Sequence, residues 1–507
     1  MLSPSIARLS SKQVALLLSA SGVLLRLFAV PGSVGDVDSV NHARALAEFD
    51  PLHQAPHFPG YPIYTAVTQL FARCGLPESW ALSLPGVLLF AVAGPLLYRS
   101  LAARTSARVA LGTLAVSALA PTAVVASAWP SSDGFGFSWL LLSAALVLWP
   151  GGRLAPLAAG CLGLGLGIRL SYAPALLSLF VLLLVQSQKL HKIQLFAYAG
   201  VGVCLWACPM VMVVGPEPLW TLAKGFVSGH FSDFGNTAFS EPSQGERLAR
   251  YAWSVWDAGL GAAYPFAIPG LHARGEGGLA AYAVAALVLV ALAAGVRFQR
   301  LEASHRQWMW ITVALGAPYV LWLLLAQNPD KPRHLLPLLP LIGVLLSLST
   351  QVLRRGELIL SLLFASMALV TLPRALAQGA QPVPALAMAE QLESVLRAKP
   401  HAPILVLAGA ESRVLQHRLP SLRVLRPQDF DIAINEAQRA RRLGVDVLIT
   451  SNVVGITKHV TWPVVLDARF DASVRPQDAR MVLYRIADIE HTHPPAVIAA
   501  LAKQGTP

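Results

Sequence analysis

The chain has 507 residues, of which 55% are hydrophobic and only 13% charged, and its mean hydropathy is +0.56. These proportions exclude a water-soluble enzyme, because the apolar residues fall in many separate runs of roughly 17 to 22, each able to cross about 30 Å of hydrocarbon as a helix. The net charge of +12 would suggest nucleic acid in a soluble chain. In a polytopic membrane protein it follows from the collection of Lys and Arg in cytoplasmic loops, so no nucleic-acid partner is expected.

Eleven crossings are predicted, at about 13–31, 80–98, 106–126, 134–149, 154–170, 173–187, 194–215, 279–297, 308–326, 334–351 and 357–373. The first run contains Arg26, lacks a small-residue cleavage site and reads as a retained signal anchor. An odd number of crossings puts the termini on opposite sides. With the N-terminus cytoplasmic, the short inner loops hold Arg99, Arg104, Arg108, Arg153, Lys189, Lys192, Arg297, Arg300, Arg306, Arg354 and Arg355. The stretch 251–270 carries Asp257 and interfacial aromatics and reads as an interfacial segment, since a twelfth crossing would move Arg354 and Arg355 outside. Two outward loops are long, at about 32–79 and 216–278, so the chemistry is expected at the outer face of a bacterial-type inner or plasma membrane.

Cys161, Cys204 and Cys208 lie in apolar runs and only Cys74 is near a loop, which gives no disulfide framework. The pair Cys204 and Cys208, at i and i+4, reads as helix packing. GLGLG at 163–167 imitates a dinucleotide loop, but without a preceding strand it reads as close helix packing. After about residue 374 the composition changes. Strand-like runs at 403–409, 422–427, 446–452, 462–470 and 480–486, with a helical stretch at 431–444, predict a small extracytoplasmic α/β domain over 374–507. It carries no catalytic motif and reads as a recognition or structural appendage to a membrane domain over 1–373.

The first outward loop opens with Asp36 and Asp38, two residues apart, before a predicted helix over 40–49 that Asp38 or Ser39 would cap. Capping accounts for one acid and not obviously for two. His53, His57 and Tyr61 follow in a stretch stiffened by Pro and Gly. Asp133, after a Trp-Pro-Ser-Ser turn, reads equally as a cap or as a functional acid. Arg169, at the outer end of a span, either snorkels or has a partner. Lys331, Arg333 and His334 flank Pro332 on the outer face against the positive-inside trend, and an arginine there can grip a phosphate bidentately. Arg26 has a weaker claim of the same kind. The polar segment 229–247 suits either a lid over substrate or a connector.

These residues resemble those of the GT-C glycosyltransferases, integral-membrane enzymes that take a sugar from a polyprenyl-phosphate carrier. The resemblance is carried by the acids after the first span, by the run DSVNHARALAEF at 38–49, and by HFPGYPIY at 57–64. That last stretch is similar to the HPPGYPLY signature of the branch holding the family 39, O-mannosyltransferase-like and aminoarabinose-transferase-like proteins. It extends to ASAWPSSDGFGF at 126–137, GIRLSYAPALL at 167–177 and KPRHLLPLLPL at 331–341, covering about residues 10–373. It implies a GT-C helical fold and an inverting transfer to an acceptor hydroxyl of a lipid, glycan or protein. Asp38 matches the family's loop acid and would be the base. The chain departs from the family's acidic pair by having Ser39 in second place, a role in which Asp36 would share. The same resemblance makes His57, Tyr61, Asp133, Arg169, Lys331, Arg333 and His334 substrate-binding candidates, and allows a divalent cation, magnesium or manganese, on Asp36 and Asp133. The alternative is a lipid-linked-sugar flippase or polysaccharide transporter, which should show internal repeats and midplane ionisable groups. Neither is evident in the sequence.

Overall fold

The computed structural model describes residues 9–262, 278–398, 403–427, 430–456, 464–470 and 481–486. They divide into two compact units, one made of 1–32 and 41–380 and the other of 33–40 and 381–507.

The larger unit is helical: α1 (Ser11–Ala29), most of α2 (Val37–Ala47), α3 (Pro62–Arg73), α4 (Glu78–Arg104), α5 (Ala107–Leu119), α6 (Pro121–Ala128), α7 (Ser132–Val147), α8 (Ala155–Ile168), α9 (Ala173–Gln186), α10 (Lys189–Val214), α11 (Pro216–Gly229), α12 (Gln244–Trp253), α13 (Gly278–Gly295), α14 (Ala303–Ala326), α15 (Leu339–Thr350) and α16 (Gly356–Ala380). All eleven predicted crossings are helical. Among the described residues, seven spans are long and apolar enough to cross a membrane, the pair α5 and α6 forms one bent span, and the segments at α7, α8 and α9 are shorter apolar helices. The chain is a polytopic α-helical membrane protein. The crossing expected as one rod at 106–126 is bent by 49°, because Pro121 supplies no N–H and Ala120 is extended.

The GLGLG segment packs as its small residues predict. A Cβ on Gly163 would stand 2.2 Å from the Ala199 carbonyl oxygen, so α8 and α10 meet backbone to backbone. Cys204 and Cys208 were expected to pack between helices, but both side chains are exposed on the other side of α10. The stretch at 251–270 begins as the end of α12 and a wide turn at Ser254–Gly259, where Asp257 pairs with Arg374 at 2.9 Å. Its residues from 263 on lie outside the described ones.

In the smaller unit, α17 (Pro384–Ala398) is followed by β1 (Ile404–Leu407), α18 (Ser412–Arg418), β2 (Arg423–Leu425), α19 (Phe430–Arg442), β3 (Asp446–Thr450), α20 (Ser451–Ile456), β4 (Val464–Phe470) and β5 (Met481–Ile486). The sheet order is β2-β1-β3-β5-β4, with β1, β2 and β3 parallel and β5 antiparallel to both β3 and β4. Successive residues of β1 face opposite layers: Ile404 and Val406 join Met388 and Leu415, while Leu405 and Leu407 join Ala433 and Ala437. The segment 33–40 belongs to this unit. Gly35 lies so close to Val383 that a Cβ would stand 2.2 Å from its methyl group.

Candidate functional site

Residues from three breaks between helices converge on one carboxylate. The chain leaves α6 at Ala128, turns through Trp129 and Pro130, and starts α7 with Ser131 as its N-cap. Asp133 therefore sits in the first turn of α7 and is not its cap. Its Oδ2 accepts from the Ser131 hydroxyl at 2.9 Å, and the residue is 1% exposed. Helix α8 stops at Ile168, and Arg169, in extended conformation, bridges to the 3-10 turn Leu170–Tyr172 that opens α9. This break turns the Arg169 guanidinium inward. Its Nη2 lies 2.8 Å from Asp133 Oδ1, and its Nη1 donates to the Ser132 hydroxyl at 2.7 Å. The third contributor is the 3-10 segment Pro332–Leu338, where Arg333 Nη1 stands 3.8 Å from Asp133 Oδ2. The Asp133 pair is buried at both ends, so Arg169 does not snorkel.

Aromatic rings wall this cluster. The Arg169 guanidinium lies 5.6 Å from the centre of the Tyr172 ring, which meets Tyr319 edge-on at 6.2 Å. Tyr319 donates to the carbonyl of His334 at 2.9 Å, which fixes the residue following Arg333. His334 itself is buried, and Lys331 is half-buried at the start of the segment. Gly134 lets the start of α7 lie directly on the end of α6, since a Cβ there would be 1.9 Å from the Ser127 carbonyl oxygen. Gly134→Ala is accordingly expected to cost about 1–3 kcal/mol of stability by overpacking. Thermal unfolding of the purified variant checks this.

Of the three ring residues in the first loop, two come together. Tyr61, buried in left-handed conformation before α3, places its hydroxyl 3.0 Å from His57 Nε2. His42 stands edge-on to both Tyr61 and Tyr64, at 5.0 and 5.1 Å. His53 does not join them. The Asp50–Ala55 bridge closes a tight turn, and the exposed His53 ring bonds Asp50 at 2.5 Å, which holds that carboxyl below its ordinary range.

Asp36 and Asp38 belong to the smaller unit. Asp36, rather than Asp38 or Ser39, is the cap of α2. Its Oδ1 accepts the Ser39 N–H at 2.7 Å, and the Ser39 hydroxyl accepts the Asp36 N–H at 3.0 Å, forming a reciprocal box. Asp38 stands in the first turn of α2.

A divalent cation on Asp36 and Asp133 does not fit these residues. The Asp133 oxygens face two guanidiniums and a hydroxyl, and an Asp36 oxygen caps α2. Among the described residues no three His, Cys, Asp or Glu side chains gather to hold an ion.

The long segment 216–278 also holds, among its described residues, polar side chains that no sequence motif marks. Arg247 is buried and donates to the carbonyls of Asn236, Leu324 and Gln327, and Arg250 pairs with Glu241 at 2.5 Å and Asp330 at 2.9 Å. His230 Nε2 bonds the Ala326 carbonyl at 2.6 Å. Residues 230–251 are thus tied to the end of α14, just before Lys331. On the predicted outer side, Arg247 and Arg250 run against the positive-inside trend as Lys331 and Arg333 do. Between α11, the following turn and α14 lies a cavity of about 900 Å³, lined chiefly by Val227, Phe231, Phe239, Trp322 and Leu325, with Pro174 two residues beyond Tyr172.

No family model matches the chain, and no curated protein matches it. Solved structures do. The chain is similar to ArnT from Cupriavidus metallidurans bound to undecaprenyl phosphate, at a TM-score of 0.55 and 11% identity, over 94% of this chain and 99% of that one. The Archaeoglobus fulgidus oligosaccharyltransferase tethered with an acceptor peptide matches at a TM-score of 0.48 and 10% identity, over 95% of this chain and 74% of that one. With the ArnT likeness spanning nearly the whole of both chains, the protein has the GT-C fold.

Proposed function

We propose that the protein is an inverting glycosyltransferase that moves a sugar from a polyprenyl-phosphate carrier to an acceptor hydroxyl at the outer face of the membrane. The observation that carries this reading is the buried meeting of Arg169 and Arg333 on the Asp133 carboxylate. Two guanidiniums held on one oxyanion are arranged for a second, and a phosphate matches their donor geometry. The fold supports it, since ArnT with that fold was solved with undecaprenyl phosphate. The apolar cavity lined by Phe231 and Trp322 suits the carrier's hydrocarbon chain.

In the proposed step Asp38 takes the proton of the acceptor hydroxyl, whose oxygen forms a bond to the anomeric carbon. The bond from that carbon to the phosphate oxygen breaks, its electron pair stays on the phosphate, and configuration inverts. Arg333, Arg169 and Lys331 stabilise the charge gathering on the departing phosphate, the role a preformed cationic site plays best out of water. Asp133 keeps the two arginines oriented. His57, Tyr61 and His334 position substrate, and no step runs through a metal.

Binding of polyprenyl phosphate to the purified protein tests the phosphate site. Arg333→Met is expected to weaken it about 10- to 100-fold, the loss of one charge-assisted contact. Undiminished binding would remove Arg333 from the site.

A further inference from the structure

Arg26 is fully buried within α1, and its guanidinium meets backbone carbonyls on both limbs of the α5–α6 bend. It donates to Gly22 at 2.9 Å, Ser117 at 2.8 Å, Ala118 at 3.4 Å and Ala123 at 2.8 Å, and stacks 3.8 Å from the Phe90 ring centre. The expected contact with a donor phosphate is therefore not its role. The pattern of acceptors explains the residue. Pro121 has no N–H for the Ser117 carbonyl, and the extended Ala120 withdraws the next two amides from Ala118 and Leu119. In a membrane interior such orphaned carbonyls are costly. Arg26 answers two of them and the Thr371 hydroxyl answers the third, at 2.6 Å from the Leu119 oxygen. A cation at this point also meets the negative end of the α5 dipole. On the far limb, Arg26 holds Ala123, and Gln378 holds Val125 at 2.9 Å.

What α6 carries makes this matter. Its end lies against Gly134, and the turn leaving it delivers Asp133. The 3-10 segment bearing Arg333 packs on α6 as well. We propose that Arg26 is a positioning residue for the Asp133 site: by closing the carbonyls at the bend it fixes the direction of α6, and so the place of Asp133 between Arg169 and Arg333. This rests on the glycosyltransferase reading above, and it adds that a residue touching no substrate sets the geometry of the phosphate grip.

The test is a double-mutant cycle of Arg26→Met with Asp133→Asn, reading turnover and donor KM separately with purified protein and a polyprenyl-phosphate sugar. Arg26→Met should lower kcat/KM about 100-fold, the scale of an ångström-sized misplacement, through a higher donor KM as well as a lower kcat, because the grip it positions holds the donor phosphate. In the Asp133→Asn background the same change should cost almost nothing more. Arg26→Lys, which keeps the charge and several donors, should recover part of the loss. If the two losses multiply, Arg26 is a structural residue only and the inference falls. Should neither Arg26 variant fold, Thr371→Val enters the cycle in its place, with a smaller non-additive loss expected and an additive one overturning the idea. A wild-type protein that transfers no sugar would instead remove the underlying reading.

Discussion

Replacing Asp38 with Asn is expected to abolish sugar transfer while the protein still inserts and unfolds at its usual temperature. Loss of a general base costs about 10²–10⁴-fold, and Asn keeps the size of the side chain without its basicity. Asp38 lies in the first turn of α2 and is not the residue that caps it, so Asn in its place leaves the Asp36–Ser39 cap intact. Asp36 makes the contrast. Its oxygen holds the Ser39 N–H, a task Asn performs about as well as Asp, so Asp36→Asn should remain active. Asp36→Ala should lose about 0.5–2 kcal/mol of stability through the cap. Transfer assays on the three variants, with thermal unfolding alongside, decide the matter. Full transfer by Asp38→Asn would refute its role, and an inactive Asp36→Asn would show that the two acids share the proton.

The largest stability effect is expected at the buried ion pair. The Asp133 and Arg169 side chains are 1% and 8% exposed and 2.8 Å apart. Arg169→Met leaves the Asp133 carboxylate to Arg333 at 3.8 Å, and Asp133→Asn leaves two guanidiniums facing a neutral group. Removing one partner of a buried pair costs about 3–5 kcal/mol, because the other charge stays desolvated. The double variant Asp133→Asn/Arg169→Met should be more stable than Arg169→Met alone, although inactive. Unfolding of the three proteins in one detergent checks this, and single variants as stable as wild type would show that water reaches the site.

Hydropathy made the helical segments legible, since a lipid-facing helix needs only length and apolarity. It did not show the bend in the third crossing. Pro121 sits within a run apolar on both sides, and the groups that accept the break, Arg26 and Thr371, come from helices remote in sequence. A charge within a span was read as a ligand contact, whereas backbone left without amides is an equally strong claimant for it. Asp133, Arg169 and Arg333 were each legible as polar residues at odds with their surroundings. That they meet depends on three helix breaks whose directions no local pattern records. The five strands and the helix at 431–444 were legible because alternation and turn residues are local signals, while α18 is too short to show a period.

The packing of Gly35 against Val383 and Leu386 carries a consequence for biosynthesis. Val383 follows Gly35 by 348 positions, so the short segment holding Asp36 and Asp38 emerges early and waits for its packing partners. At translation rates of about 5–20 residues per second, the wait is on the order of 20–70 s. A ribosome-bound chain with its membrane helices already inserted still has that acidic segment unsettled. Activity should appear only when the last quarter of the chain has been made, even though no residue proposed for catalysis lies there.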